Sequence, residues 1–188
     1  MTQQFRSDKK GMTLVELILA IILLNIIILT GLSMELGIRR IFSSTDLEAQ
    51  LLAEAVPIMT MAAKDINQAV GDIVNSPADD AYSYDPTSPY FKYYIRRDTN
   101  GNGLADGNDG WAEYRYRAST YTLDYRFPNI GVYTVLSDRV TQFSISSPVN
   151  GTSIVSLTLR KNASSAANYT NPQVTLNSRA QYRGYSYN

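Results

Sequence analysis

Gly11-Met12-Thr13-Leu14-Val15-Glu16-Leu17-Ile18 is the stretch whose reading decides the fold. A polar leader, residues 1–11, carries Arg6, Lys9 and Lys10 and ends at Gly11. An apolar run then extends from Met12 to Met34, with one carboxylate, Glu16, near its start. At a rise of about 1.5 Å per residue, a helix over 12–34 is long enough to cross a hydrocarbon core of about 30 Å. Asn25, Thr30 and Ser33 are tolerable in such a helix. Glu16 is the anomaly, because a carboxylate in an apolar span costs roughly 2.5–3.5 kcal/mol on insertion scales. Either it sits at the membrane face and reaches water, or it meets a positive group on another chain. Lys9 and Lys10 favour a cytoplasmic location for the preceding side. A secretory signal would place a small-residue cleavage site after its apolar core. Here the Gly comes first, so a cut at Gly11 would remove the charges and leave the apolar segment in place.

The motif resembles the class III signal of type IV pilins and type II secretion pseudopilins. The resemblance implies a cut after Gly11 by a prepilin peptidase and methylation of the new N-terminus. Met12 stands where the family usually has Phe. Glu16 is the fifth residue after the cut, the family's Glu position. The implied fold is α+β: a long N-terminal helix, half transmembrane and half amphipathic, packed on an antiparallel β-sheet. The implied partners are prepilin peptidase, other pilin or pseudopilin subunits, and the inner membrane before assembly. The globular part would then be periplasmic or extracellular. In a helical stack, the Met12 amine of one subunit can lie beside Glu16 of a neighbour, each neutralising a charge that is costly alone in an apolar environment.

Composition narrows the alternatives. Lys+Arg 17 balances Asp+Glu 17, so no basic surplus points to nucleic acid. There is no Cys and no His, which excludes disulfides, thiol nucleophiles and Cys or His zinc sites. No pairing of residues along the chain suggests a catalytic constellation, and an enzyme is not expected. All 14 Tyr lie from Tyr82 onward, whereas Phe42 is the only aromatic in 12–75. That shift separates a helical part from a β-rich globular part.

Residues 35–75 read as an amphipathic helix. Ile38, Ile41, Phe42, Leu47, Leu51, Leu52, Val56, Met59, Ala63, Ile66, Val70 and Ile73 recur at three- and four-residue steps and form a core-facing stripe. Ser44-Thr45-Asp46-x-Glu48 reads as a local break with a new cap. Pro57 should kink the helix, and Gly71 and Ser76-Pro77 should end it. The globular domain is expected over 76–188. Residues 76–90 read as loop. Strands are expected over 91–97, 111–117, 121–127, 132–136, 140–146, 154–160 and 174–182, with a hairpin turn at Pro148-Val149-Asn150-Gly151. Strict alternation in 111–117 and 121–127 predicts one wet face. The Tyr/Arg alternation there is read as sheet surface, not as a nucleic-acid platform. The pattern Leu136-Ser137-x-Arg139-Val140-Thr141-x-Phe143, with the later Val/Leu strands, resembles J-type pseudopilins and W-type minor pilins. That favours a minor or tip subunit over a major one.

The second informative stretch is Asp98-Thr99-Asn100-Gly101-Asn102-Gly103-Leu104-Ala105-Asp106-Gly107-Asn108-Asp109. It fits the D-x-[DN]-x-[DN]-G spacing of a calcium loop with an acid in twelfth place. Ca²⁺ takes six to eight oxygens, and alternating side chains on a tight loop can supply them. Asp98, Asn100 and Asn102 are the first ligands, Leu104 offers its carbonyl, Asp106 acts through water, and Asp109 takes the last place. Asp in that place resembles the dockerin-type variant and has a shorter reach than Glu. The alternative is a polar turn that binds nothing. Two functions follow: a filament subunit assembled through its N-terminal helix, or a membrane-anchored, calcium-dependent adhesin or ligand-binding module.

Overall fold

The computed structural model describes residues 12–71, 81–87, 89–103 and 105–182. Gly11, the leader and Ile73 lie outside them, as does Leu104. Among the described residues, one long helix, α1 (Leu14–Asn67), is followed by eight strands. The chain divides after Phe42 into two compact units.

The first unit is helix alone. Every described residue from Met12 to Phe42 is exposed, including Ile27 at 67% and Phe42 at 70%. An 18-residue window in α1 reaches a mean hydropathy of 2.7 with none of it buried, so this helix is long and apolar enough to cross a membrane. Its hydroxyls are satisfied internally. Thr30 Oγ1 donates to the Ile26 carbonyl, and Ser33 Oγ donates to that of Leu29 at 2.8 Å. Ile38, Ile41 and Phe42, expected on a core face, are exposed instead.

The second unit packs the lower helix on antiparallel sheets. Leu51, Ala55, Ile58, Met59, Ala62, Asp65 and Ile66 are buried. They recur at three- and four-residue steps and form one stripe. Leu52 and Val56, also expected there, are 39% and 51% exposed, because Ala55 and Ala62 carry the contact line instead. The break expected at Ser44–Glu48 is absent. Helix continues through it, and Ser44 and Glu48 meet as an i,i+4 pair at 3.4 Å. Helix also continues through Pro57.

The helix ends at Asn67, earlier than the expected 75, because the following backbone finds partners on a strand. Ala69 bridges Arg97, the Val70 N–H donates to the Arg96 carbonyl at 3.0 Å, and the Asp98 N–H donates to the Gln68 carbonyl at 3.1 Å.

The strands are β1 (Tyr82–Asp85), β2 (Phe91–Arg97), β3 (Gly110–Arg117), β4 (Thr122–Arg126), β5 (Thr134–Ser137), β6 (Val140–Ile145), β7 (Thr152–Arg160) and β8 (Gln173–Gln181). They form two sheets, β1-β2-β3-β4-β5 and β6-β7-β8, rather than one. Strand β1 lies in the segment expected to be loop. Tyr82 and Tyr84 pair with Ile95 and Tyr93, supplying a tertiary reason for extension that Asp79, Asp80 and Pro86 obscure in the sequence. The hairpin at 148–151 forms as expected. Asn150 and Gly151 both take positive φ (50° and 70°), the combination a tight two-residue hairpin requires.

Tyrosine joins the sheets. Strand β6 is an edge strand, and on such a strand alternate carbonyls point away from the neighbour. The carbonyls of Thr141, Phe143 and Ile145 accept hydrogen bonds from the hydroxyls of Tyr116 (2.8 Å), Tyr93 (3.2 Å) and Tyr82 (2.7 Å). Phenols thus satisfy a row of carbonyls that burial would otherwise leave unpaired. Burial raises the pKa of all three phenols, and pushes that of Tyr182 up to about 12. The folded state therefore holds protons that the unfolded chain releases near pH 10, so stability falls as pH rises above about 10. In an alkaline titration, ionisation of the buried phenols should coincide with loss of near-ultraviolet circular dichroism. Smooth ionisation of all tyrosines with the dichroism intact would disprove the edge-capping role.

Candidate functional site

At the helix start, Thr13 and Glu16 form a reciprocal capping box. The Thr13 N–H and Oγ1 donate to Glu16 Oε2 at 2.8 and 2.9 Å, and the Glu16 N–H donates to Thr13 Oγ1 at 3.3 Å. This satisfies backbone donors that every helix N-terminus leaves open. The T-x-x-E spacing was the signal for it, and it gives Glu16 a local role that the expected intermolecular partner does not require. Met12, immediately before the cap, is 64% exposed.

The Asp98–Asp109 loop joins β2 to β3 and brings most of its expected ligand residues together. The Asp98 carboxylate accepts from the Gly101 N–H (2.6 Å) and the Gly103 N–H (2.9 Å). Gly101 and Gly103 take positive φ (76° and 73°), which wraps the loop back over Asp98. Asn100 Oδ1 accepts from the Asn102 N–H at 3.0 Å. Asp106 Oδ2 accepts from Asn100 Nδ2 (3.0 Å) and Asn102 Nδ2 (2.9 Å), while Oδ1 accepts from the Asn108 N–H (2.8 Å). The Asn108 backbone, then the Asn100 side chain, hold the Asp106 carboxyl below its ordinary range, so it is ionised near neutrality. Among the described residues, no three His, Cys, Asp or Glu side chains stand together as a metal-holding group. Leu104, whose carbonyl was expected as a ligand, lies outside the described residues.

Asp109 has an enclosed side chain. Its side chain is 0% exposed. Oδ2 accepts from the Asp106 N–H at 2.8 Å and faces Arg96 Nε at 3.4 Å. Oδ1 is buried and has no hydrogen-bond partner. Arg96, which also donates to the Asp106 carbonyl at 2.7 Å, is a loop-organising residue that the twelve-residue motif does not include. Gln68 and Val70 join residues 98–103 in lining a cleft of about 640 Å³.

The face of β3 and β4 expected to be wet is covered. Glu113 is 0% exposed, held by Arg126 and the Tyr133 hydroxyl. Arg115 pairs with Asp124 at 2.6 Å and stacks on Tyr133 with 3.5 Å to the ring centroid. Arg117 reaches the Tyr90 hydroxyl at 2.9 Å. The alternation correctly marks the two faces. It does not reveal that the segments around Tyr90 and Tyr133 fold over the polar one. These guanidiniums are occupied with carboxylates and rings.

The chain matches no protein-family model, no curated protein and no solved structure.

Proposed function

We propose that this chain is a subunit of a type IV pilus-like or type II secretion pseudopilus filament. It would be processed by a prepilin peptidase at Gly11, assembled through its N-terminal helix, and placed as a minor or tip subunit. The observation that carries the reading is the register at the helix start. In sequence, Gly11 stands two residues before Thr13, which with Glu16 caps a helix whose apolar side chains, from Leu14 to Phe42, are all exposed. So much apolar surface must be covered. Before assembly a bilayer covers it, with Lys9 and Lys10 on the cytoplasmic side. After assembly, like helices cover it. A leader cut before the apolar segment makes that exchange possible, because it removes the charges that anchor the N-terminus in water.

The test is processing. Co-expressed with an active prepilin peptidase, the chain should lose residues 1–11 and acquire a methylated N-terminus at Met12, read by intact mass. Persistence of the full-length chain in the presence of a peptidase that cleaves a control substrate would overturn the reading.

A further inference from the structure

We propose that the Asp98–Asp109 loop is a Ca²⁺ site in which buried Asp109 contributes a single oxygen, Oδ1. The inference does not depend on the filament reading.

The motif spacing is one observation and the state of Asp109 is another. A carboxylate oxygen that is buried with no partner forfeits its hydration without return. Here that oxygen belongs to the residue that occupies the closing position of the motif. Its sister oxygen is committed to the Asp106 N–H and faces Arg96, which leaves Oδ1 as the one Asp109 oxygen to offer an ion. The short reach of Asp relative to Glu is thereby accommodated, because the loop asks for one oxygen only.

The other motif residues already bond to one another and to the loop backbone. Backbone amides of Gly101, Gly103, Asn102 and Asn108 donate to oxygens of Asp98, Asn100 and Asp106 and hold those side chains in the loop. The side-chain amides of Asn100 and Asn102 donate to Asp106 Oδ2, where they take the place of a cation. Rotating each carboxamide would replace its N–H with Oδ1, and for Asn100 this exchanges the bond from the Asn102 N–H for the ion. Asp98, Asn100, Asn102, Asp106 and Asp109 would then supply five oxygens, and water would complete the six to eight that Ca²⁺ takes. Three carboxylates beside Arg96 leave about two negative charges, which matches the ion and indicates an affinity in the range of extracellular modules.

The full-length chain, purified in detergent and stripped with a chelator, should bind one Ca²⁺ in calorimetric titration. Tb³⁺ is the second probe. Trp111, the only Trp in the chain, lies two residues beyond Asp109 and should sensitise Tb³⁺ emission that Ca²⁺ then displaces. Asp109→Asn keeps the side-chain volume and should weaken Ca²⁺ by at least about tenfold, because a neutral amide replaces a charged ligand. Asp106→Asn should do the same, and it carries the test if Asp109→Asn misfolds. Asp138→Asn, at an exposed site, should leave binding unchanged. The proposal fails if the wild-type chain gives neither heat nor sensitised emission, or if Asp106→Asn or folded Asp109→Asn binds Ca²⁺ as tightly as wild type. It also fails if Mg²⁺ competes on equal terms, which would make the loop an unselective acidic turn.

Discussion

Glu16→Gln should abolish filament assembly while leaving membrane insertion and the helix start intact. Gln at this position still completes a capping box with Thr13, so the local hydrogen bonds persist. Removing the carboxylate also lifts an insertion cost of roughly 2.5–3.5 kcal/mol, so the precursor should enter the bilayer at least as readily. What the variant loses is charge. Under the filament reading, the Met12 amine of a neighbour would be left in an apolar stack without its counter-ion. Breaking one side of a buried ion pair costs about 3–5 kcal/mol, and about 1.4 kcal/mol is a factor of ten in an equilibrium. The yield of sheared filaments should therefore fall more than about a hundredfold, with leader removal and membrane-fraction levels unchanged. Near-normal assembly of Glu16→Gln would mean that Glu16 is only a helix cap, and the charge-pairing part of the reading would be lost.

Asp65→Ala should cost the second unit about 3–5 kcal/mol, the range for removing one partner of a buried charged pair. Asp65 lies near the end of α1 and is 1% exposed. Its Oδ2 accepts from the Tyr114 hydroxyl at 2.6 Å, and its Oδ1 faces Arg97 Nη1 at 3.2 Å. Arg97 in turn donates to Gln68 Oε1 at 2.6 Å and lies over the Phe127 ring at 4.2 Å to its centroid. Truncation strands both the guanidinium and the phenol at the place where helix, β2 and β3 meet. The double variant Asp65→Leu/Arg97→Met should recover a large share of the loss, because apolar replacement of a whole buried pair is often near neutral. Denaturant unfolding of the single and the double variant measures this, and equal destabilisation by both would exclude the pairing. The carboxyl's own pKa is raised by burial, against the pull of Tyr114 and Arg97. The folded state thus holds this proton more tightly than the unfolded chain. Its contribution to stability falls as pH rises from about 4, and Asp65→Asn should remove that slope.

Much of this was legible from residue types and spacing. Seven of the eight strands, the 148–151 turn and the two faces of β3 and β4 follow alternation and turn chemistry. The lower helix could be recognised by period, and Leu51, Met59, Ile66 and Val70 of its expected stripe are buried, but the stripe's edges could not be assigned. Leu52 and Val56 have the hydrophobicity of core residues, and only the approach of the strands shows that Ala55 and Ala62 face them instead. Strand β1 was hidden because its extension depends on pairing with β2, a contact between residues distant in sequence. Asp65 was passed over for a related reason. A carboxylate in an apolar stripe looks like a surface residue until Tyr114 and Arg97 come from two other strands to meet it. At the loop, the motif named Asp98, Asn100, Asn102, Asp106 and Asp109. It said nothing of Arg96, or of which Asp109 oxygen is already taken.

The sequence by itself determined the helix start, the apolar segment and the calcium-type spacing. Each is encoded within a few residues by capping, hydropathy or turn geometry. Tertiary structure alone decided where α1 stops, how the strands divide into two sheets, and how the tyrosine hydroxyls close the edge of β6. Those outcomes depend on which buried donors and acceptors find partners, and the partners lie tens of residues apart along the chain.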